Sequence, residues 1–114
     1  MPIAKLEIPS GVPQDRFDTI VDSVIDACSA ELGVGREVVT TSFRQVHREG
    51  PLLVEITLFP GRSAEAKAKL YQSINDSCAT LENRIGATMV VLYEVPKANW
   101  GIDGTGSDRL FPDA

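Results

Sequence analysis

Histidine, cysteine and tryptophan are nearly absent from this chain of 114 residues, which holds one His, two Cys and one Trp. With His47 as the sole imidazole, a metal centre built on several histidines is excluded, and a Ser-His-Asp triad has a single position to draw on. Neither Cys28 nor Cys78 has a CxxC neighbour or a nearby histidine, so both read as small buried hydrophobes. A surplus of positive charge is missing as well. The net charge of -5 argues against a nucleic-acid partner, which needs Lys and Arg gathered on one face. No apolar run approaches the roughly 18 residues of a membrane span. Lys5, Glu7 and Pro9 interrupt the stretch that a secretion signal would keep apolar. A soluble cytoplasmic protein is expected, with no metal or cofactor, no nucleic acid and no membrane.

What is present is a pattern written twice. The length and a 43% hydrophobic content suit one compact domain. An offset of about fifty residues aligns Leu6 and Ile8 with Ile56 and Leu58, and Gly11 with Gly61. It also aligns Ile20 with Leu70, Val24 with Ile74, Cys28 with Cys78 and Phe43 with Tyr93. Because the offset is constant, neither half is expected to hold an extra residue. The expected organisation is a first repeat over about 2–47, a second over about 52–95, and a tail over 96–114.

Within each half the apolar period changes. Ile3 to Ile8 alternates as a strand does, and Ser10, Gly11 and Pro13 break it, Pro13 suiting a first helical turn. Phe17, Ile20, Val21, Val24, Ile25 and Cys28 then form one helical stripe, backed by Asp15, Asp18, Asp22 and Asp26. Gly33 and Gly35 end that helix, and Val38 to Val46 predicts a second strand. The second half predicts a strand over Leu52 to Phe59 and a helix capped by Ser63. That helix would turn Leu70, Ile74, Cys78 and Leu81 inward, with a strand over Thr88 to Val95 after it. Glu65 and Lys69 are spaced to pair on its wet face. Two right-handed β-α-β crossovers joined by the short link Arg48-Glu49-Gly50-Pro51 imply an α+β fold: a four-stranded mixed sheet with two helices on one face. The strands read as apolar on both sides, through Val38, Val39, Phe43, Val54, Ile56, Leu58, Val90, Val91 and Leu92. The uncovered face is therefore expected to be an association surface.

Three segments together resemble a known family. The chain opens Met-Pro-Ile-Ala-Lys-Leu-Glu-Ile. Residues 56–63 read Ile-Thr-Leu-Phe-Pro-Gly-Arg-Ser at a strand-to-helix turn, and residues 94–104 run Glu-Val-Pro-Lys-Ala-Asn-Trp-Gly-Ile-Asp-Gly. This ordered set, on a β-α-β repeat, resembles the tautomerase superfamily, which includes 4-oxalocrotonate tautomerase and its fused relatives. The layout with Gly-Arg-Ser only in the second half is most similar to the malonate semialdehyde decarboxylase branch. The resemblance covers about residues 2–107.

It implies that Pro2, exposed once Met1 is removed, is a catalytic amine. A free α-amine titrates near about 7.7–8.0. Burial beside a cation lowers that value and lets the amine act as a base at neutral pH. The structural alternative is a proline that merely ends a strand and blocks degradation. Arg62 is the cation expected beside it, its fork suited to a substrate carboxylate. An ordinary turn arginine is the alternative, but the start of a helix disfavours a cation there. Trp100 matches an aromatic wall of the family's pocket, or else packs the tail against a neighbouring subunit. Asn99 is a further substrate contact, while Tyr93 and His47 read as structural.

The implied set departs from the family's pattern in places. Thr40 and Met89 stand where tautomerases carry a second arginine, and Pro60 replaces one of the decarboxylase branch's arginine pair. Only Glu37, beside Val38, is placed to serve as that branch's carboxylate. Keto-enol tautomerisation of a small 2-keto or 2-hydroxy-dienoate acid demands least of the residues present: a base, one carboxylate clamp and a dry wall. The alternatives are a decarboxylase or hydratase of a malonate-semialdehyde-like acid, with Pro2 held protonated, and a non-catalytic scaffold should Met1 remain. Three chains closing over the uncovered sheet face would give a homotrimer.

Overall fold

The computed structural model describes residues 1–79 and 87–112. Strand β1 (Ile3–Ile8) leads through a 3-10 turn at Gln14–Arg16 into helix α1 (Phe17–Leu32). A second 3-10 turn, Arg36–Val38, precedes β2 (Thr40–Gln45). The other half runs β3 (Leu52–Leu58), α2 (Ala64–Ala79) and β4 (Thr88–Glu94). A 3-10 turn at Lys97–Asn99, the two-residue strands β5 (Gly101–Ile102) and β6 (Thr105–Gly106), and the short helix α3 (Ser107–Leu110) complete the tail. The sheet order is β2-β1-β3-β4. β1 and β2 are parallel, as are β3 and β4, and the two pairs meet antiparallel at β1 and β3. The fold is the expected α+β arrangement of two β-α-β units under a mixed sheet.

Alternation explains which side the helices cover. Ala4, Leu6 and Ile8 of β1 and Leu52, Val54, Ile56 and Leu58 of β3 are buried, together with Ile20, Val24, Cys28, Leu70, Ile74 and Cys78 of the helices. Each large apolar side chain fully buried here contributes about 1.5–3 kcal/mol. The repeat pairs Ile20/Leu70, Val24/Ile74 and Cys28/Cys78 thus form one shared core. Burial raises the Cys28 thiol to about 11, the behaviour of a packing residue. Leu81, expected to extend the α2 stripe, lies outside the described residues.

The helix ends follow their caps. Gly33 takes φ +67°, and its N–H and that of Val34 both donate to the Ser29 carbonyl, at 3.1 and 3.2 Å, which closes α1 in a left-handed turn. At the start of α2 the Ser63 Oγ accepts the Ala66 N–H at 3.1 Å, the expected N-cap. On the wet face of α1, Arg36 pairs with Asp26 and lies 3.4 Å from Asp22. Such exposed pairs are worth about 0–1 kcal/mol.

Three expectations need correction. β2 begins at Thr40, because Arg36–Val38 forms a turn and Val39 drops into the core. The repeat offset is not constant either. Leu6 stands beside Phe43, whereas Ile56, its repeat equivalent, stands beside Leu92, so the second half is one residue shorter between its strands. A one-residue slip turns a side chain to the opposite face: Phe43 packs edge-on against Phe17 of α1 at 5.8 Å, whereas Tyr93 lies on the open face beside Glu55. Nor is the open face uniformly apolar, since Val54, Ile56 and Leu58 all point to the helices. By register it carries Lys5, Glu7, Ser42, Arg44, Glu55 and Thr57 alongside Ile3, Leu53, Met89, Val91 and Tyr93. Glu7 is hydrogen-bonded to Arg44 at 2.5 Å and to Arg48 at 3.4 Å, contacts that hold its carboxyl below the usual range.

Candidate functional site

One end of the sheet gathers the start of β1, the ends of β3 and β4, the end of α1 and the start of α2. Crossover connections produce this: α1 must return to the level where β1 began, and α2 must leave from where β3 stops. Pro2 is buried at this end, its carbonyl accepting the Thr40 N–H at 3.0 Å. Ile3 faces Thr57 in the antiparallel pair, so the chain before Ile3 runs alongside Leu58 and Phe59. The Met1 α-amine is partly buried there, and its pKa falls below the ordinary 8.0. Burial is the main cause and the positive charge of Arg62 the second. Both disfavour the ammonium form, so the neutral amine gains at neutral pH.

Arg62 stands between Gly61, at φ +117°, and the Ser63 cap. Its half-buried side chain crosses to α1, where Nη2 donates to the Leu32 carbonyl at 3.1 Å. This corrects the dipole argument. The residue lies just before the Ser63 cap of α2, but its guanidinium sits at the C-terminal end of α1, where a cation is favoured. No carboxylate among the described residues pairs with it. The Arg62 fork therefore keeps donors for an incoming anion, while one donor fixes its position.

Trp100 stacks edge-on against Phe59, with ring centroids 4.9 Å apart, and Phe111 flanks the same ring at 6.2 Å. Lys97 Nζ lies 5.7 Å from the Phe59 centroid and donates to the Phe111 carbonyl at 2.7 Å. Phe59 is thus the hub that fastens the tail to the turn carrying Arg62. Sequence reasoning missed it. The available signal was an aromatic residue directly before Pro60-Gly61-Arg62 in a chain only 6% aromatic. Asn99 is exposed in its 3-10 turn, and among the described residues its side chain makes no hydrogen bond. Glu37 is exposed in the turn just before β2, and Met89 lies at the opposite end of the sheet, on the open face. The structure therefore brings the N-terminal segment and Arg62 together and ties Trp100 to them through Phe59. It leaves Asn99 at the surface.

A family model described as tautomerase enzyme matches residues 30–103, well over half of the chain. The chain belongs to the tautomerase family. A probable tautomerase of Ralstonia nicotianae (strain ATCC BAA-1114 / GMI1000) is 42% identical over 53 residues, which span 46% of this chain and 76% of that protein. Among solved structures, an R7 fused 4-OT in the form of an asymmetric trimer superposes with a TM-score of 0.82 at 16% identity, covering 95% of this chain and 98% of the other. A malonate semialdehyde decarboxylase, studied for its decarboxylase and hydratase activities, gives 0.72 at 14% identity over 95% of each chain. At such identities the likeness is one of fold. The stretch of this tautomerase matched by the family model includes Arg62, Asn99 and Trp100 and begins after Pro2. Among the described residues no helix is long and apolar enough to cross a membrane.

Proposed function

We propose that this chain, with Met1 removed, is a cofactor-independent tautomerase that interconverts the enol and keto forms of a small 2-keto or 2-hydroxy-dienoate acid. The observation that carries this reading is the placement of the N-terminal amine: partly buried, within the field of Arg62, and lowered in pKa by both. Removal of Met1 would pass that environment to the secondary amine of Pro2. The neutral amine takes the hydroxyl proton of the enol, the double-bond electrons move toward carbon, and the Pro2 ammonium returns the proton to that carbon. Arg62 holds the substrate carboxylate with the donors that Leu32 leaves over. Trp100, backed by Phe59, supplies an apolar wall, and Asn99 a polar contact at its edge. The assembly is a homotrimer, by analogy with the fused 4-OT trimer.

Arg62→Ala tests the clamp. It removes a charged hydrogen bond worth about 1.5–3 kcal/mol, or roughly a ten- to hundredfold loss in kcat/KM on an enol acid such as phenylenolpyruvate. Full activity of the variant on every carboxylate substrate that the parent turns over would contradict the assignment.

A further inference from the structure

The tail closes on itself around Phe59. The Trp100 N–H donates to the Lys97 carbonyl at 3.1 Å, the Ser107 N–H to the Trp100 carbonyl at 2.7 Å, and the Phe111 N–H to the Ser107 carbonyl at 2.8 Å. Lys97 Nζ then donates to the Phe111 carbonyl at 2.7 Å, which completes a ring of four hydrogen bonds. Each backbone bond closes one local piece: the 3-10 turn, the β5-β6 hairpin or the turn of α3. All three would persist if the hairpin and α3 swung away from Phe59 as a unit. The Lys97 bond is different, because it joins residues fourteen apart and ties the end of the tail to its start. That start is anchored in turn, since the Val95 N–H donates to the Leu58 carbonyl at 2.8 Å. Phe111 is 42% exposed, so burial of its ring holds the far end only weakly. The Lys97 ammonium also lies 5.7 Å from the Phe59 centroid, within reach of a cation–π attraction. One side chain thus engages both the ring at the centre and the chain end beyond it.

We infer that Lys97 is a positioning residue for Trp100, closing the tail over Phe59 and so setting the wall against which the substrate lies; this rests on Trp100 being that wall. The role needs two properties at once. A carbonyl accepts from any donor that reaches it, but only a cation adds attraction to the ring face. Arginine supplies both. Methionine keeps an unbranched apolar stem and supplies neither. Lys97 lies outside the buried core, so the sheet and both long helices should fold without its charge.

The test is steady-state ketonisation of phenylenolpyruvate by the Met1-processed protein, with Trp100 emission as a second readout. Lys97→Met should raise KM about three- to tenfold with kcat little changed, the pattern of lost substrate binding. Its emission should move to the red while far-UV circular dichroism stays that of the parent. Lys97→Arg should stay near the parent in both KM and emission. The inference is overturned if Lys97→Met keeps the parent KM, if its emission does not move, or if Lys97→Arg fares no better than Lys97→Met. Trp100→Ala, assayed on the same acid, separates the two levels. A raised KM there beside a parent-like Lys97→Met removes only the positioning role. A parent-like KM in Trp100→Ala, or a processed parent inert to the enol acid, removes the wall and this inference together.

Discussion

Arg62→Ala removes two things at once, the proposed carboxylate clamp and an observed hydrogen bond. Its bond to the Leu32 carbonyl caps an α1 end that would otherwise rely on Gly33 and Ser29 alone, so Arg62→Ala should cost some stability as well as activity. A hydrogen bond involving a charged group is worth about 1.5–3 kcal/mol at most positions, less where water can replace it. Half-burial puts this one toward the low end. The activity loss predicted for that variant should therefore be read beside its denaturation midpoint. Pro2 has a simpler logic, since the charges and burial around the amine act in one direction. Asn99 has only its position beside Trp100 in its favour. What made Arg62 legible was its neighbours in sequence, Gly61 and Ser63. What hid its physical setting was distance: Leu32 is thirty residues away, and local patterns do not report a carbonyl on another helix.

At the scale of elements, the helices were the most legible parts. The spacing of Ile20, Val24 and Cys28, repeated at Leu70, Ile74 and Cys78, assigns the buried faces with no knowledge of the sheet. Strand faces were harder. Leu52, Val54, Ile56 and Leu58 alternate with Leu53, Glu55 and Thr57, and only this period-2 pattern decides that the open face is mixed in charge. The apparent match of Phe43 to Tyr93 concealed a one-residue slip, because identity of residue class does not fix register. The tail was the least legible, since its order depends on aromatic contacts with Phe59 and not on periodicity. These contacts make a prediction. Edge-on aromatic pairs contribute about 0.5–1.5 kcal/mol beyond area burial, so Phe59→Leu should loosen the tail while the sheet and both helices remain folded. Trp100, the only tryptophan, reports it directly. Its fluorescence should shift to the red and kcat/KM should fall, with far-UV circular dichroism unchanged. An unmoved Trp100 emission would contradict the role given to Phe59.

At the scale of the whole molecule, the open sheet face bears on assembly and the state of the N-terminus on activity. The open sheet face, with its Glu7–Arg44–Arg48 cluster and the exposed Met89 and Tyr93, at 50% and 49%, suits contacts that combine charge pairing with apolar packing. Light scattering should give three times the 12.3 kDa chain mass, and a stable monomer at micromolar concentration would contradict the trimer. The central claim is that the Pro2 amine is the base, and removal of one residue from the whole chain tests it most directly. With Met1 retained, the Pro2 nitrogen is an amide that cannot accept a proton, and the only amine lies one residue farther out. Processed and Met1-retaining protein, each verified by intact mass, should be assayed on phenylenolpyruvate across pH. General acid–base catalysis contributes about 10²–10⁴-fold, so the Met1-retaining form should lose at least about a hundredfold. The processed form should show one ascending limb in kcat/KM, below the 8.0 of an ordinary α-amine, because burial and Arg62 both favour the neutral form that accepts the proton. Equal rates from the two forms would contradict Pro2 as the base.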